Sequence, residues 1–138
     1  MSLRFFWYRI SRELEKYDYT ILNDVFTFYY HGKLYTLDVG SSYPFRAPEL
    51  IMSNDNIISY NPRLYPSRLW MEYKKQTNKC MCCDNMLCAN NWSPARGIIH
   101  VIQEYEEFIE TLKTMQKKRM AQYMHLPDDI IRYICEFL

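Results

Sequence analysis

The chain lacks a strong excess of charge of either sign, because 17 lysine and arginine residues stand against 16 aspartate and glutamate residues, for a formal net charge of +1. A general nucleic-acid binder or a membrane-surface protein carries a marked basic excess, so the composition predicts neither partner. No apolar run approaches the length that spans a bilayer. Arg4, Arg9 and Arg12 interrupt the first segment, which argues against a signal peptide.

The chain also lacks the even set of cysteines that a disulfide framework requires. It has five cysteines and no predicted secretory signal, which favours a reducing compartment and hence an intracellular protein, cytoplasmic or nuclear. Four of the five lie in the stretch CMCCDNMLC, from Cys80 to Cys88. Cys82 and Cys83 are adjacent and therefore badly placed to bond each other. Thiol chemistry and metal binding remain as roles for this stretch.

What the chain has in quantity is apolar and aromatic side chains, at 49% and 17% of its 138 residues, enough to bury one core. Apolar residues at steps of three and four predict a helix over residues 3–17, another from residue 98 and a third from Pro127. The stretches YTIL, VFTFYY, KLYTLDV and LIM predict strands, with a tight turn at His31-Gly32. We expect an α+β fold with helices segregated from one antiparallel sheet.

Between the predicted strands and the cysteine stretch, the sequence carries weak signals. Asn56, Asn61, Pro62 and Pro66 interrupt any helix, and the segment MEYKKQTNK is strongly charged. We expect residues 54–79 to form a long surface loop, with at most one helical turn over residues 68–73.

Two fragments, taken together, resemble a ubiquitin-conjugating enzyme domain. They are YPFRAPELIM, from Tyr43, and NWSPARGIIHVI, which contains Trp92-Ser93-Pro94-Ala95. In that family a Tyr-Pro-Phe-x-x-Pro segment enters the last strand of an antiparallel meander, a cysteine carries a thioester, and Trp-Ser-Pro-Ala opens the next helix. The resemblance covers roughly residues 3–115 and implies an N-terminal helix, a β-meander, an active-site loop and C-terminal helices. It implies a conjugating-like domain over residues 1–120 and a helical tail over 121–138.

The resemblance also implies roles for particular residues. Cys83 lies nine positions before Trp92, where the family has its active cysteine, and Cys82 lies ten before it in a Cys-Cys-Asp context. The family's oxyanion-stabilising Asn belongs to a His-Pro-Asn motif that this sequence lacks, and the candidate here is Asn61 in Tyr60-Asn61-Pro62. Partner-binding positions are Phe45, Pro94 and Ala95, which would face a ubiquitin ligase. The implied partners are ubiquitin or a ubiquitin-like protein, an activating enzyme and a ligase.

Alternative functions stay open at this point. The missing His-Pro-Asn motif and the short meander are compatible with a variant that binds ubiquitin or a partner without catalysis. Cys80, Cys82, Cys83 and Cys88 could supply four thiolates to zinc in a cysteine-rich interaction module, but all four crowd one loop, whereas structural zinc usually takes pairs from two separated turns. We therefore expect no metal and no cofactor. The tail LPDDIIRYICEFL resembles the opening of an F-box, and we expect it to pack on the domain.

Overall fold

The computed structural model describes residues 3–23, 25–38, 42–53, 56–124 and 127–135. These residues form four α-helices and five strands, and the prediction of an α+β fold is confirmed. The helices are α1 (Leu3–Glu13), α2 (Ser67–Thr77), α3 (Ile98–Met124) and α4 (Asp128–Cys135). The strands are β1 (Thr20–Leu22), β2 (Val25–Tyr30), β3 (Lys33–Asp38), β4 (Leu50–Ser53) and β5 (Asn56–Ile57). None of the helices in the described ranges is both long and apolar enough to cross a membrane.

The five strands form one antiparallel meander in the order β1-β2-β3-β4-β5. Alternation along β2 buries Phe26, Phe28 and Tyr30, since successive strand residues face opposite sides of a sheet. The predicted hairpin turn is confirmed: His31 and Gly32 join β2 to β3 with φ values of 49° and 76°, as a tight two-residue hairpin requires. β5 was not predicted, because its two residues are too few to show a pattern.

The buried face of the sheet packs against α1 and the start of α3. Phe26, Leu37 and Ile51 from the strands share this first core cluster with Ile10 and Leu14 from the N-terminal segment, and with Ile98, Val101 and Ile102 from α3. Each of these side chains is at most 2% exposed, and burying one contributes about 1.5–3 kcal/mol. The first core cluster therefore holds α1 and the start of α3 against the same face of the sheet.

The predicted surface loop over residues 54–79 is wrong for much of its length, because the segment contains β5, a short 3₁₀ turn at Pro62–Leu64 and the 11-residue helix α2. Leu69 is buried and Tyr73 half-buried one turn later, so one face of α2 packs against α3. The helix ends at Asn78, whose φ is 58° and whose N–H donates to the Lys74 carbonyl at 2.9 Å. A second core cluster forms beneath α2 from Tyr60, Leu69, Met81, Phe108, Leu112 and Met115.

The predicted boundary between domain and tail, after residue 120, falls inside α3, which continues to Met124. Helix α4 then contacts α3. Residues 125, 126 and 136–138, which include parts of the F-box-like segment, lie outside the described residues.

Candidate functional site

The two sequence fragments that carry the family resemblance contact each other. The Trp92 indole N–H donates to the backbone carbonyl of Pro44 at 2.7 Å, and the rings of Tyr43 and Trp92 lie 6.0 Å apart between centroids. The Tyr43–Pro44 peptide bond is cis. Phe45, Pro48, Leu87 and Trp92 are among the residues that line a cleft of about 580 Å³. Two segments 48 positions apart therefore form one surface.

Helix α1 holds the segment that follows Trp92. Arg9 donates from Nη2 to the carbonyls of Pro94 and Arg96, at 2.7 and 3.0 Å. Glu13 accepts the Ile98 backbone N–H at 3.1 Å and, through its other oxygen, the hydroxyl of Tyr43. Burial, and then the neighbouring Glu13 carboxylate, raise the pKa of Tyr43 above its ordinary value, so this hydroxyl remains a donor.

The predicted ligase contacts lie at this surface. Phe45 is 61% exposed and therefore lies outside the core. Pro94 and Ala95 are exposed as well, while Trp92 is half-buried and held by its hydrogen bond to Pro44. The prediction that these residues bind a ligase stays a prediction.

The cysteine loop, residues 78–91, is anchored by a buried methionine. Met81 is 3% exposed and belongs to the second core cluster, whereas Cys82 and Cys83 beside it are exposed. Reciprocal hydrogen bonds close the turn: the Cys80 N–H donates to Asp84 Oδ2 at 2.6 Å, and the Asp84 N–H donates to the Cys80 carbonyl at 3.0 Å. These contacts leave the cysteine side chains on the outer side of a fixed turn.

Asparagine side chains complete the loop in place of regular secondary structure. Asn85 is the buried polar residue here; it donates to the Met81 carbonyl at 2.6 Å and accepts the Cys88 N–H at 3.1 Å. Asn91 donates to the carbonyls of Cys83 and Asn85. Neither asparagine was predicted as part of the site. The density of asparagine in CDNMLCANN was a signal for them, because Asn side chains readily form hydrogen bonds with nearby backbone groups.

Three sulfur atoms of the loop converge. The Sγ atoms of Cys80 and Cys82 lie 3.2 Å apart, those of Cys82 and Cys83 3.3 Å, and those of Cys83 and Cys80 3.3 Å. Hydrogen bonds from the thiols of Cys82 and then Cys83, followed by their backbone N–H groups, lower the pKa of Cys80 to about 7. Hydrogen bonds with the Cys82 thiol and then the Cys80 thiol raise the pKa of Cys83 to about 12. A thiolate is therefore favoured at Cys80 over Cys83.

Asn61 and Cys82 line one cleft of about 350 Å³, together with Ile58, Tyr60, Leu87 and Cys88 among others. Cys83 is not among the described residues that line it. Asn61 accepts the Arg63 N–H through Oδ1 at 3.0 Å, so the Nδ2 group is the part of its side chain that carries donors. The structure thus brings together two of the three predicted catalytic residues. The prediction that Cys83 is the nucleophile stays a prediction, and its raised pKa disfavours a thiolate there.

Glu104 of α3 ties this cleft to the cysteine loop. Its Oε1 accepts the Tyr60 hydroxyl and the Met86 backbone N–H, both at 2.9 Å. Burial, and then the Glu104 carboxylate, raise the pKa of Tyr60 well above its ordinary value of 10. Glu104 was not predicted as part of the site, because its contacts with Tyr60 and Met86 depend on the tertiary arrangement.

Comparison of the chain with protein-family models finds no match, and comparisons with curated proteins and with solved structures find no significant match either.

Proposed function

We propose that this protein is a divergent ubiquitin-conjugating-like domain that accepts the C-terminus of ubiquitin, or of a related modifier, as a cysteine thioester. The observation that carries the proposal is the contact between the two motif segments, through the Trp92–Pro44 hydrogen bond, beside a loop of exposed cysteines. Each motif alone is short, and their contact at the end of an antiparallel meander supports a shared origin with that family. In this proposal a ubiquitin ligase binds at Phe45, Pro94 and Ala95.

We assign the thioester to Cys82, because it lines the same cleft as Asn61. The Cys82 thiolate attacks the carbonyl carbon of the thioester that the activating enzyme holds, and the enzyme's own thiolate leaves. A lysine amine of the substrate then attacks the new thioester, loses a proton and releases Cys82. The Nδ2 group of Asn61 supplies donors to the oxyanion that forms in each step.

A charging assay tests this proposal: the protein is incubated with activating enzyme, ubiquitin and ATP, and the products are separated on a non-reducing gel. We expect a reducible adduct that is lost in Cys82→Ser and kept in Cys83→Ser and Cys88→Ser. Loss of the adduct in Cys83→Ser alone would instead identify Cys83 as the nucleophile, the residue that the family's spacing from the tryptophan selects. Asn61→Ala is expected to lower discharge to lysine by roughly 10²–10³-fold, as for loss of one oxyanion donor.

A second candidate function is a non-catalytic variant that binds ubiquitin or a conjugating enzyme. The observation that favours it is that the three thiols contact one another at 3.2–3.3 Å. A thiol that is hydrogen-bonded to its neighbours is less available as a nucleophile. This function predicts no adduct in any variant, with a working conjugating enzyme as control. It also predicts binding of ubiquitin that Cys82→Ser leaves unchanged and Phe45→Ala weakens, measured by titration calorimetry.

A further inference from the structure

The cysteine loop gathers three thiol groups on one outer face of a fixed turn. We propose that Cys80, Cys82 and Cys83 bind one thiophilic d¹⁰ metal ion, Zn²⁺ in preference to Cu⁺, through three thiolates, with a fourth coordination position open to solvent. This inference departs from the expectation that the chain binds no metal. It does not rest on the proposed ubiquitin function, because metal binding is measured without ubiquitin.

The distances between the sulfurs suit one shared ion. Their Sγ atoms form a nearly equilateral triangle with sides of 3.2–3.3 Å, and the three lie within 4.8 Å of one another. With Zn–S bonds of about 2.3 Å, an ion would sit about 1.3 Å above the centre of this triangle. An ideal tetrahedron places its sulfurs about 3.8 Å apart, so each pair must separate by roughly half an ångström. Cys82 and Cys83 are exposed and Cys80 is half-buried, so small rotations of the two exposed side chains can make that adjustment.

The backbone of the turn supports thiolate ligands. Cys80 and Cys83 have the Cys-x-x-Cys spacing of a zinc-binding turn, and the paired hydrogen bonds between Cys80 and Asp84 hold the turn closed. Such hydrogen bonds orient a ligand, as outer-shell partners do in metal sites. Because Met81 is buried in the second core cluster, its neighbours Cys80 and Cys82 are held on the opposite side. The crowding that argued against zinc in the sequence is therefore resolved by the turn.

The fourth position of the ion would be open. Cys88, the remaining cysteine of the stretch, is not part of the three-sulfur group among the described residues, and it is half-buried. Cys82 and Cys83 are exposed, so a water molecule or a partner's side chain can reach the ion. Three thiolates and Zn²⁺ carry a net charge of −1, whereas Cu⁺ would leave −2 beside Asp84.

The test is a titration of the reduced, metal-free full chain with Zn²⁺, and with Co²⁺ as a spectroscopic probe, under anaerobic conditions. We expect one equivalent of either ion, thiolate-to-cobalt charge-transfer absorption, and release of thiol protons on binding. Cys80→Ser, Cys82→Ser and Cys83→Ser should each weaken binding by more than about 100-fold, beyond the effect of losing an outer-shell partner. Cys88→Ser is the matched control and should bind as tightly as the unaltered chain. Circular dichroism checks that every variant is folded.

Several results would overturn the proposal. If the folded, fully reduced chain binds far less than one equivalent of Zn²⁺ and of Co²⁺, the proposed site does not exist. Equal loss of affinity in Cys88→Ser would replace the open three-thiolate site with a closed four-thiolate one. One equivalent of Cu⁺ with no measurable Zn²⁺ would keep the ligands but reject the assignment of the ion. A different result would contradict only the proposed function. In that result the chain binds one equivalent of Zn²⁺ as expected, but forms no ubiquitin adduct after a chelator has removed the metal.

Discussion

Glu13 is a single carboxylate that joins three parts of the chain. It accepts hydrogen bonds from the Tyr43 hydroxyl and the Ile98 backbone N–H, and it lies 3.5 Å from the guanidinium of Arg9. A hydrogen bond to a charged group contributes about 1.5–3 kcal/mol. Glu13 therefore holds the Tyr43 segment and the start of α3 against α1. Space beside it is limited, because a Cβ on Gly97 would lie 2.2 Å from Glu13 Oε1.

We predict that Gly97→Ala destabilises the protein by about 1–3 kcal/mol, since Glu13 must move and its hydrogen bond to the Ile98 N–H is lost. Urea unfolding followed by circular dichroism measures the change in the free energy of unfolding. The control is the same substitution in a Glu13→Ala background, where the carboxylate that the added Cβ meets is absent, so that Gly97→Ala should change the free energy of unfolding much less there. A Gly97→Ala variant as stable as the unaltered chain would show that Glu13 does not hold this position.

The candidate site was predictable at the residue scale only where a motif spans adjacent positions. Family spacing selected Cys83, whereas Cys82 was predicted from its Cys-Cys-Asp context and Asn61 from Tyr60-Asn61-Pro62; it is Cys82 and Asn61 that share a cleft. The positioning contacts of Arg9, Glu13 and Glu104 were not predictable, because each joins a side chain to a backbone group at least 18 residues away. A sequence shows the charge of such a residue but not the group that it meets.

Among the elements, α2 shows why a helix can go unnoticed in a sequence. It presents one fully buried residue, Leu69, with Trp70 and Tyr73 half-buried beside it, so the repeating apolar pattern that identified α1 and α3 is too short here. The strands β2 and β3 were predictable because VFTFYY and KLYTLDV are rich in β-branched and aromatic residues, and alternate residues are buried over all of β2 and at Tyr35 and Leu37 of β3. The preceding asparagines and prolines indicated a loop, and they do precede the helix without entering it.

We predict that Leu69→Ala destabilises the protein by about 2–5 kcal/mol, because it removes a buried side chain from the second core cluster and leaves a cavity. Met71→Ala, two positions along the same helix and 59% exposed, is the control and should change the free energy of unfolding by less than about 0.5 kcal/mol. Chemical denaturation of both variants gives the comparison. Equal effects in the two would mean that α2 does not pack as described.

The whole molecule combines two core clusters that meet at Tyr105 and Leu87, which pack against both. Tyr60 belongs to the second cluster and Tyr65 packs against it. Burial, and then Glu104 for Tyr60 and Tyr105 for Tyr65, raise the pKa values of both hydroxyls. A group whose folded-state pKa is raised favours folding below its unfolded pKa, here 10.0, and this contribution is lost as the pH rises toward the folded value.

We therefore predict that the free energy of unfolding falls steeply above about pH 10, the ordinary tyrosine pKa, since the unfolded chain ionises there and the folded chain does not. Tyr60→Phe should lower stability at pH 7 by about 0.5–1.5 kcal/mol through loss of the hydrogen bond to Glu104. It should also make the alkaline decline shallower than in the unaltered chain. Urea unfolding at pH 7 and at pH 11 measures both effects, with Tyr29→Phe as control because Tyr29 is 63% exposed. An unchanged alkaline slope in Tyr60→Phe would contradict the assignment.

The contacts of α1 with the segment after Trp92 also bear on the order of folding. Arg9 and Pro94, like Glu13 and Ile98, are 85 residues apart, whereas the β2–β3 hairpin joins residues a few positions apart. Closing a long loop costs entropy that grows with the logarithm of its length, and contacts of high sequence separation slow folding. During synthesis the hairpins can form early, but the motif surface cannot be completed until Ile98 has left the ribosome. The proposed partner surface is thus among the last parts of the molecule to exist.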